Sequence, residues 1–163
     1  MSASIDFRNG MSRLGSAVSL ITSDGRAGRH GMTASAVCSI TDNPPTLLVC
    51  VNQLNRSHDV FNGNGVLCVN VLAERHKALS GLFSGAAEAD RFALGDWKTL
   101  ATGAPALADA VVNFDCRIIE RHTIGTHSVF YCRVETTVVA ERPAETLIWF
   151  NRAYHPLTAP AAS

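Results

Sequence analysis

The apolar positions of this chain fall in short runs that are separated by turn-forming residues. Two runs, Thr46–Val51 and Val66–Leu72, are almost continuously apolar, which is typical of strands buried on both faces. The other β-rich segments are Ser16–Thr22, His30–Ile40, Val111–Glu120, His127–Ala140 and Leu147–Phe150. Roughly seven strands joined by glycine and proline turns predict a mainly β fold, a closed or nearly closed antiparallel barrel.

Two segments have helical character. Ser57–Asn62 begins with a residue that can cap a helix, and Glu74–Phe83 carries Leu79 and Leu82 at helical spacing. Strands and helices do not alternate regularly, and no GxGxxG turn is present, so a dinucleotide-binding Rossmann domain is disfavoured. We therefore expect a few helical insertions in a β domain.

The length of 163 residues fits one domain over 1–163, with an alanine- and proline-rich tail at 158–163 that we expect to fray. Fourteen basic and fourteen acidic side chains cancel, which argues against nucleic acid as a partner. No apolar run reaches the roughly 20 residues that span a bilayer, and the first ten residues do not resemble a signal peptide. These features predict a soluble, cytoplasmic protein without a membrane partner.

The cysteines and histidines show no metal-ligand spacing, so no metal is expected. Each of the five cysteines lies inside an apolar stretch, which predicts buried thiols in a reducing compartment. They are Cys38, Cys50, Cys68, Cys116 and Cys132.

Small residues dominate the stretch Gly31–Ser39. In a continuous strand, Thr33 and Ser35 would share one face, and Ala34 and Ala36 the other. Small side chains would let a flat ligand approach the backbone, whose N–H and C=O groups could bind its polar edge. Close packing of the strand against a helix explains the same residues equally well.

A polar loop follows the apolar run that ends at Val51. Asn52, Asn55 and Arg56 precede or flank Ser57, where the short helix is expected to begin. A helix N-terminus offers free N–H groups to a phosphate, and Arg56 would add a charge-assisted donor. An ordinary helix cap beside a solvated arginine is the alternative.

Three further clusters carry possible chemistry. Phe83 and Ser84, with Arg91, offer a hydroxyl and a cation, although an Asp90–Arg91 surface pair would be unremarkable. His127 follows a glycine turn at the start of a strand, a position where histidine is often structural. Arg152 and Tyr154 belong to an aromatic and basic cluster that could form core, a dimer surface or a stacking platform.

Taken in order, several motifs resemble the short-chain flavin reductases, and the resemblance extends from about Phe7 to Leu157. Within that family the sequence is most similar to the reductases of the pyrimidine-utilisation pathway and of 4-hydroxyphenylacetate 3-monooxygenase. The matching motifs are Gly31–Pro45, Thr46–Asn52, Leu67–Leu72, Asp90–Phe92, Phe114–Cys116, Gly125–His127 and Phe150–His155.

The resemblance implies an FMN-binding split β-barrel, antiparallel and Greek-key-like, that forms a homodimer and takes hydride from NADH or NADPH. It implies that Thr33, Ala34, Ser35 and Ala36 line the flavin ring of FMN or FAD, and that His127 lies near the nicotinamide. The ribityl-phosphate side would be held by Asn52, Asn55, Arg56, Ser57, Phe83, Ser84 and Arg91. Arg152 and Tyr154 would reach the cofactors, from the same subunit or from the second.

Two stretches depart from many members of that family. Gln53–Asn55 stands where relatives carry serine or threonine. Gly28–His30 places cations just before Thr33–Ala36, the predicted ring segment.

The reaction that the resemblance implies is hydride transfer from reduced nicotinamide to flavin N5, which supplies reduced flavin to a partner monooxygenase. Such a step needs no protein nucleophile, in agreement with the absence of a triad motif. A flavin-binding carrier or sensor and a non-catalytic dimerisation module remain as alternatives. A pyridoxamine-phosphate oxidase-like enzyme has little support from the sequence.

Overall fold

The computed structural model describes residues 3–85, 90–141 and 145–158. Its helices are Ala3–Met11 (α1), Arg56–Asn64 (α2) and Lys77–Ser84 (α3). Its strands are Ser16–Ala17 (β1), Ser19–Ser23 (β2), His30–Ala34 (β3), Val37–Asp42 (β4), Pro45–Asn52 (β5), Val66–Val71 (β6), Trp97–Thr99 (β7), Pro105–Leu107 (β8), Val112–Ile124 (β9), His127–Val139 (β10), Thr146–Phe150 (β11) and Ala153–Leu157 (β12). Short 3-10 turns cover Glu74–His76 and Arg91–Ala93.

The strands form three antiparallel sheets, which confirms the mainly β prediction. The largest has seven strands in the order β3-β2-β6-β9-β10-β5-β4. A three-stranded sheet has the order β1-β11-β12, and β7 pairs with β8. None of the helices in the described ranges is long and apolar enough to cross a membrane. Residues 159–163, most of the tail that we expected to fray, lie outside the described part.

The two edge strands of the large sheet follow one another in the chain. β3 and β4 lie at opposite edges, yet only Ser35 and Ala36 separate them. Six strand spacings would place the edges of a flat sheet about 29 Å apart. Three Cα–Cα steps, from Ala34 to Val37, reach at most about 11 Å. The sheet must therefore curl until its edges meet at this corner.

Curling encloses one apolar core and leaves a second between the sheet and α3. The first core contains Ile21, Val49, Val51, Phe61, Leu67, Val69 and Phe130, and the second contains Val18, Leu20, Leu72, Phe83, Leu107 and Leu147. Burying each large side chain contributes about 1.5–3 kcal/mol. The predicted burial of Val66–Leu72 is confirmed, because β6 lies mid-sheet and β8 covers part of its second face.

The buried side-chain amide of Asn70 links four strands, β2, β6, β8 and β9. Asn70 Oδ1 accepts hydrogen bonds from Leu107 N and from Asn113 Nδ2, both at 2.8 Å. Asn70 Nδ2 donates to Leu20 O and to Thr22 Oγ1, both at 3.0 Å. Because these bonds use both ends of the amide, Asn70 can be buried without an unsatisfied polar atom.

Several predicted segments are divided or shifted by tertiary contacts. Ser16–Thr22 is split at Val18, whose N–H donates to Leu147 O at 2.8 Å while its C=O accepts from Leu72 N at 2.9 Å. The predicted extended stretch His30–Ile40 is interrupted at Ser35 and Ala36, where the chain crosses between sheet edges. The helix predicted at Ser57 begins one residue earlier, and α1 and β12 were not predicted.

The expectation that every cysteine is a buried thiol is right for three of them. Cys68, Cys116 and Cys132 are buried, and burial raises the pKa of Cys132 to about 12. The prediction is wrong for Cys38, which is exposed because β4 is an edge strand with an uncovered outer face. Cys50 is half-buried, and all five thiols are free.

Gly31 provides a test of the packing beneath the ring segment. A Cβ at Gly31 would lie 2.7 Å from Phe83 Cε1 and 3.1 Å from Ile21 O. We expect Gly31→Ala to lower the free energy of unfolding by about 1–3 kcal/mol, since the buried ring must shift. Chemical denaturation measures the change.

The matched control is Gly81→Ala in α3, where a Cβ would meet nothing within 4 Å. Alanine there should stabilise the protein by about 0.5–1 kcal/mol. If Gly31→Ala were as stable as the parent protein, the close contact with Phe83 would not constrain this region.

Candidate functional site

The Ser35–Ala36 crossing leaves backbone donors open to solvent. Cys50 N donates to Ala36 O at 3.0 Å, which anchors the crossing to β5. Within the described residues, the N–H groups of Ser35 and Ala36 have no hydrogen-bond acceptor, and both residues are exposed. Two adjacent free amides on an exposed backbone can bind the polar edge of a flat ligand.

The other two residues of the predicted ring segment are occupied by the protein itself. Thr33 Oγ1 donates to Ser80 O at 2.7 Å, and Ala34 packs partly against the first core. The face pattern expected for a continuous strand is therefore broken between Ala34 and Val37. The backbone of Ser35 and Ala36 is the accessible half of this segment.

The loop after β5 is shaped by its own asparagines. Asn52 Oδ1 accepts from Leu54 N at 2.9 Å, and Asn55 Oδ1 accepts from Ser57 N at 2.9 Å. Asn55, rather than the predicted Ser57, is thus the N-cap of α2. Ser57 is fully buried, and its hydroxyl lies 2.7 Å from His30 Nδ1. Asn55 therefore occupies N–H groups of the first helical turn that the sequence had offered to a phosphate, since its C=O also accepts from His58 N at 2.9 Å.

Two cationic side chains, Arg56 and Arg91, lie beside the loop together with His30, which can become cationic. Arg91 donates from Nη1 to Gly31 O at 3.1 Å and from Nη2 to Gly85 O at 2.5 Å. Burial, followed by the nearby charges of Arg91 and Arg56, lowers the pKa of His30 below its ordinary value. In the described ranges no carboxylate forms an ion pair with any of these three residues. Such a cluster suits an anionic ligand.

Ser80 links several predicted site residues, although the sequence did not single it out. Its carbonyl accepts from Thr33 Oγ1 and from Ser84 Oγ, both at 2.7 Å, and its hydroxyl lies 3.0 Å from Tyr154 Oη. Ser80 precedes Ser84 by four residues, so helical spacing could have placed both on one face. Phe83 is buried against Phe92, with ring centroids 5.2 Å apart.

His127 lies at the same corner as the Asn52 loop. In the pairing of β10 with β5 it stands directly opposite Asn52, and Gln53 N donates to Thr126 O at 3.0 Å. The His127 side chain is exposed, with Nδ1 2.9 Å from Thr126 Oγ1. Two segments that lie far apart in the sequence, the polar loop and the Gly125 turn, are therefore neighbours.

Arg152 is the predicted site residue that the structure places elsewhere. It lies with Asn151 in a tight turn between β11 and β12, where both residues have positive φ. Its Nη2 donates to Asn9 Oδ1 in α1 at 2.6 Å. Tyr154, two residues later, instead contacts Ser80 of α3 through its hydroxyl.

A second constellation resembles a nucleophilic triad but cannot act as one. His58 Nε2 lies 2.9 Å from Ser128 Oγ, and His58 Nδ1 lies 3.0 Å from Asp59 Oδ1. Ser128 is only 1% exposed, so no substrate can reach its hydroxyl. The His58–Ser128 contact instead fastens α2 to the start of β10. No group of three or more potential metal ligands is found in the described part of the chain.

The sequence of this chain matches the family profile described as flavin reductase like domain over residues 11–158. It is 53% identical over 156 residues to the FMN reductase (NADH) RutF of Variovorax paradoxus, an alignment that covers 95% of this chain and 86% of the relative. It is 52% identical over 155 residues to the protein of that name in Agrobacterium fabrum, covering 94% and 88%.

Solved structures show the same architecture. The flavin reductase BorF, a component of a bacterial two-component tryptophan halogenase, superposes with a TM-score of 0.88 at 27% identity, covering 96% of this chain and 99% of BorF. The styrene monooxygenase flavin reductase of Pseudomonas putida S12 gives 0.85 at 27% identity, covering 95% and 99%. With the family profile matched along most of its length, this chain belongs to the flavin reductase-like family.

Proposed function

We propose that this protein is an NADH-dependent flavin reductase that uses FMN and passes reduced flavin to a partner oxygenase. The observation that carries the proposal is the 53% identity to an FMN reductase (NADH), which extends over 95% of the chain. The resemblance stated from the motifs and the geometry of the corner support the same activity. FAD is the second candidate flavin substrate.

The residues at the corner fit a flavin mononucleotide at both of its ends. The free amides of Ser35 and Ala36 suit the polar edge of the flavin ring, which carries alternating donors and acceptors. Arg56, Arg91 and His30 suit the phosphate at the other end. Asn52 and Asn55 keep their Nδ2 groups available for the ribityl chain or the phosphate, since their Oδ1 atoms shape the loop.

Bound flavin would accept the hydride of NADH and carry two electrons onward. The protein's part is to hold the two rings in contact and to place donors where negative charge develops. The Ser35 and Ala36 amides are suited to the second task because they are fixed by the Cys50–Ala36 bond. His127, exposed beside the Asn52 loop, is suited to contact the nicotinamide.

The curled seven-stranded sheet supports the split β-barrel that the family resemblance implies. A carrier or sensor would use the same fold and bind flavin without oxidising NADH. A steady-state assay of NADH oxidation with added FMN separates the two functions. Turnover supports the reductase, and binding without turnover would contradict it.

We further propose a partner monooxygenase as the consumer of reduced flavin. Its support is that the Pseudomonas putida protein is named as a styrene monooxygenase flavin reductase, and that BorF is named as the flavin reductase component of a two-component tryptophan halogenase. The proposal is tested by adding a purified candidate oxygenase and measuring whether its product forms in step with NADH oxidation.

Cytoplasmic location is proposed from the five free thiols.

The surface around α1 supports a homodimer. No residue of α1 is buried, although Ile5, Phe7 and Met11 are apolar and exposed. α1 contacts the β11–β12 hairpin through the Arg152–Asn9 hydrogen bond, and Phe150 of that hairpin is also exposed. An apolar surface of this kind is typical of a protein interface. Arg152 would then lie at the subunit boundary.

Arg56→Ala tests the phosphate end of the site. Loss of one charge-assisted contact should weaken FMN binding by about tenfold, while riboflavin, which lacks the phosphate, should bind unchanged. Flavin fluorescence titration measures both dissociation constants. Arg133→Ala is the matched control, because Arg133 lies on β10 and pairs with Glu135 at 3.0 Å. Equal FMN affinity in Arg56→Ala and the parent would place the phosphate elsewhere.

His127→Ala tests the nicotinamide end. We expect the KM for NADH to rise about three- to tenfold, the equivalent of one lost hydrogen bond, with little change in the Kd for FMN. His122→Ala is the control, since His122 is also an exposed histidine at this end of the β9–β10 pair and contacts Glu120. An unchanged KM and kcat in His127→Ala would remove this residue from the site.

Phe7→Ser tests the proposed dimer surface. Phe7 is 68% exposed, and replacing it with a polar residue should shift the molecular mass in light scattering from dimer toward monomer. Ile124→Ser is the control, because Ile124 is 69% exposed at the far end of β9. A monomeric parent protein, or a dimer lost only in the control, would contradict this interface.

A further inference from the structure

His30 lies where the polar loop, the 3-10 turn at Arg91 and the start of β3 meet. Its Nδ1 contacts the buried Ser57 hydroxyl at 2.7 Å, which fixes the ring against α2. In the part of the chain that the structure describes, His30 Nε2 has no hydrogen-bond partner. One ring nitrogen is therefore held by the protein, and the other is available to a ligand.

The two charges that act on His30 are both positive. Arg56 belongs to α2 and Arg91 to the 3-10 turn, and both act on His30. On the loop that precedes β3, Asp24 and Arg29 pair with each other at 3.7 Å. The β2 residue paired with His30 is Ser23, which does not titrate and whose hydroxyl donates to Val66 O.

We propose, building on the proposed flavin reductase function, that His30 recognises a terminal phosphate monoester and takes up a proton as that phosphate binds. His30 would thereby make the protein prefer FMN to FAD and riboflavin. It acts with Arg56 and Arg91, and its Nε2–H donates to a phosphate oxygen in the protonated form. The only bond that forms is the N–H bond of the protonated imidazole, and its proton comes from the buffer.

The preference follows from the charge of each flavin. A phosphate monoester carries nearly two negative charges at neutral pH, because its second pKa is about 6. The two phosphates of FAD are joined to each other as a pyrophosphate and carry a single charge each, and riboflavin has no phosphate. A dianion beside His30 favours the charged imidazole much more strongly than a monoanion does.

The direction of the pH dependence is set by two opposite shifts. In the free protein, burial and the two arginines hold the pKa of His30 below its ordinary value, so the ring is neutral at neutral pH. A bound dianion would raise that pKa. Between the two values each FMN that binds takes up as much as one proton, and FMN affinity falls by up to tenfold per pH unit as the pH rises.

Isothermal titration calorimetry at pH 7 in two buffers of different ionisation enthalpy measures the proton uptake directly. The titrants are FMN, FAD and riboflavin, and the variants are His30→Asn and the control His122→Asn. Asparagine places an amide near the position of Nδ1, so the contact with Ser57 is retained while the titrating ring is lost.

We expect proton uptake with FMN, more than with FAD, and none with riboflavin. In His30→Asn the uptake should vanish and FMN should bind about tenfold more weakly, with riboflavin unchanged. His122→Asn should behave like the parent protein. Proton uptake that persists in His30→Asn, or an equal loss of FMN and riboflavin affinity, would overturn the proposal and leave His30 a purely structural role.

Two features keep the test decisive. If His30→Asn fails to fold, the parent protein still discriminates, because equal proton uptake with FMN and riboflavin overturns the proposal. Failure of the proposed reductase function would give a different result: the protein would still bind FMN in the calorimeter but would not oxidise NADH. Failure of the His30 proposal would leave NADH oxidation intact.

Discussion

The fold and the candidate site both depend on the two-residue connection between β3 and β4. These strands are the outer edges of the seven-stranded sheet, and the chain between them is too short to cross a flat sheet. The sheet consequently curls around the first core. The carbonyl of Ala36 bonds to β5, but within the described residues the N–H groups of Ser35 and Ala36 have no acceptor and stay free at the surface.

The same corner gathers like charges that a purely structural role would not require. Arg91 is held by two carbonyl groups, and His30 is held by Ser57, so neither is free to move far from the other. Arg56 and Arg91 would repel a charged His30 ring, which contributes to its lowered pKa in the free protein. Binding of an anion relieves that repulsion, which explains why the arrangement suits a phosphate.

Local patterning was sufficient for most strands, whereas the type of chemistry came from the order of motifs that resembles the family. Continuous apolar runs identified both β5 and β6, but only β6 is buried along almost its whole length. β5 alternates between buried and half-buried positions because it lies next to the edge strand β4. Helix α1 was missed because it has no buried residue, and so no apolar stripe marks it. The hydroxyl-rich composition of Gly31–Ser39 left a ligand and a packed helix equally open. The structure shows the packed helix, since Thr33 donates to Ser80 of α3, and it leaves Ser35 exposed.

By itself the sequence determined the β class, the buried central strands and the order of motifs that marks the family. Those properties are local, or follow from the spacing of residues along the chain. Only the tertiary structure decided that His127 stands opposite Asn52, that Ser80 joins Thr33 to Tyr154, and that His30 lies beside Arg56 and Arg91. In each of these contacts the two residues are more than 25 positions apart in the chain. Strand register and sheet curvature bring them together.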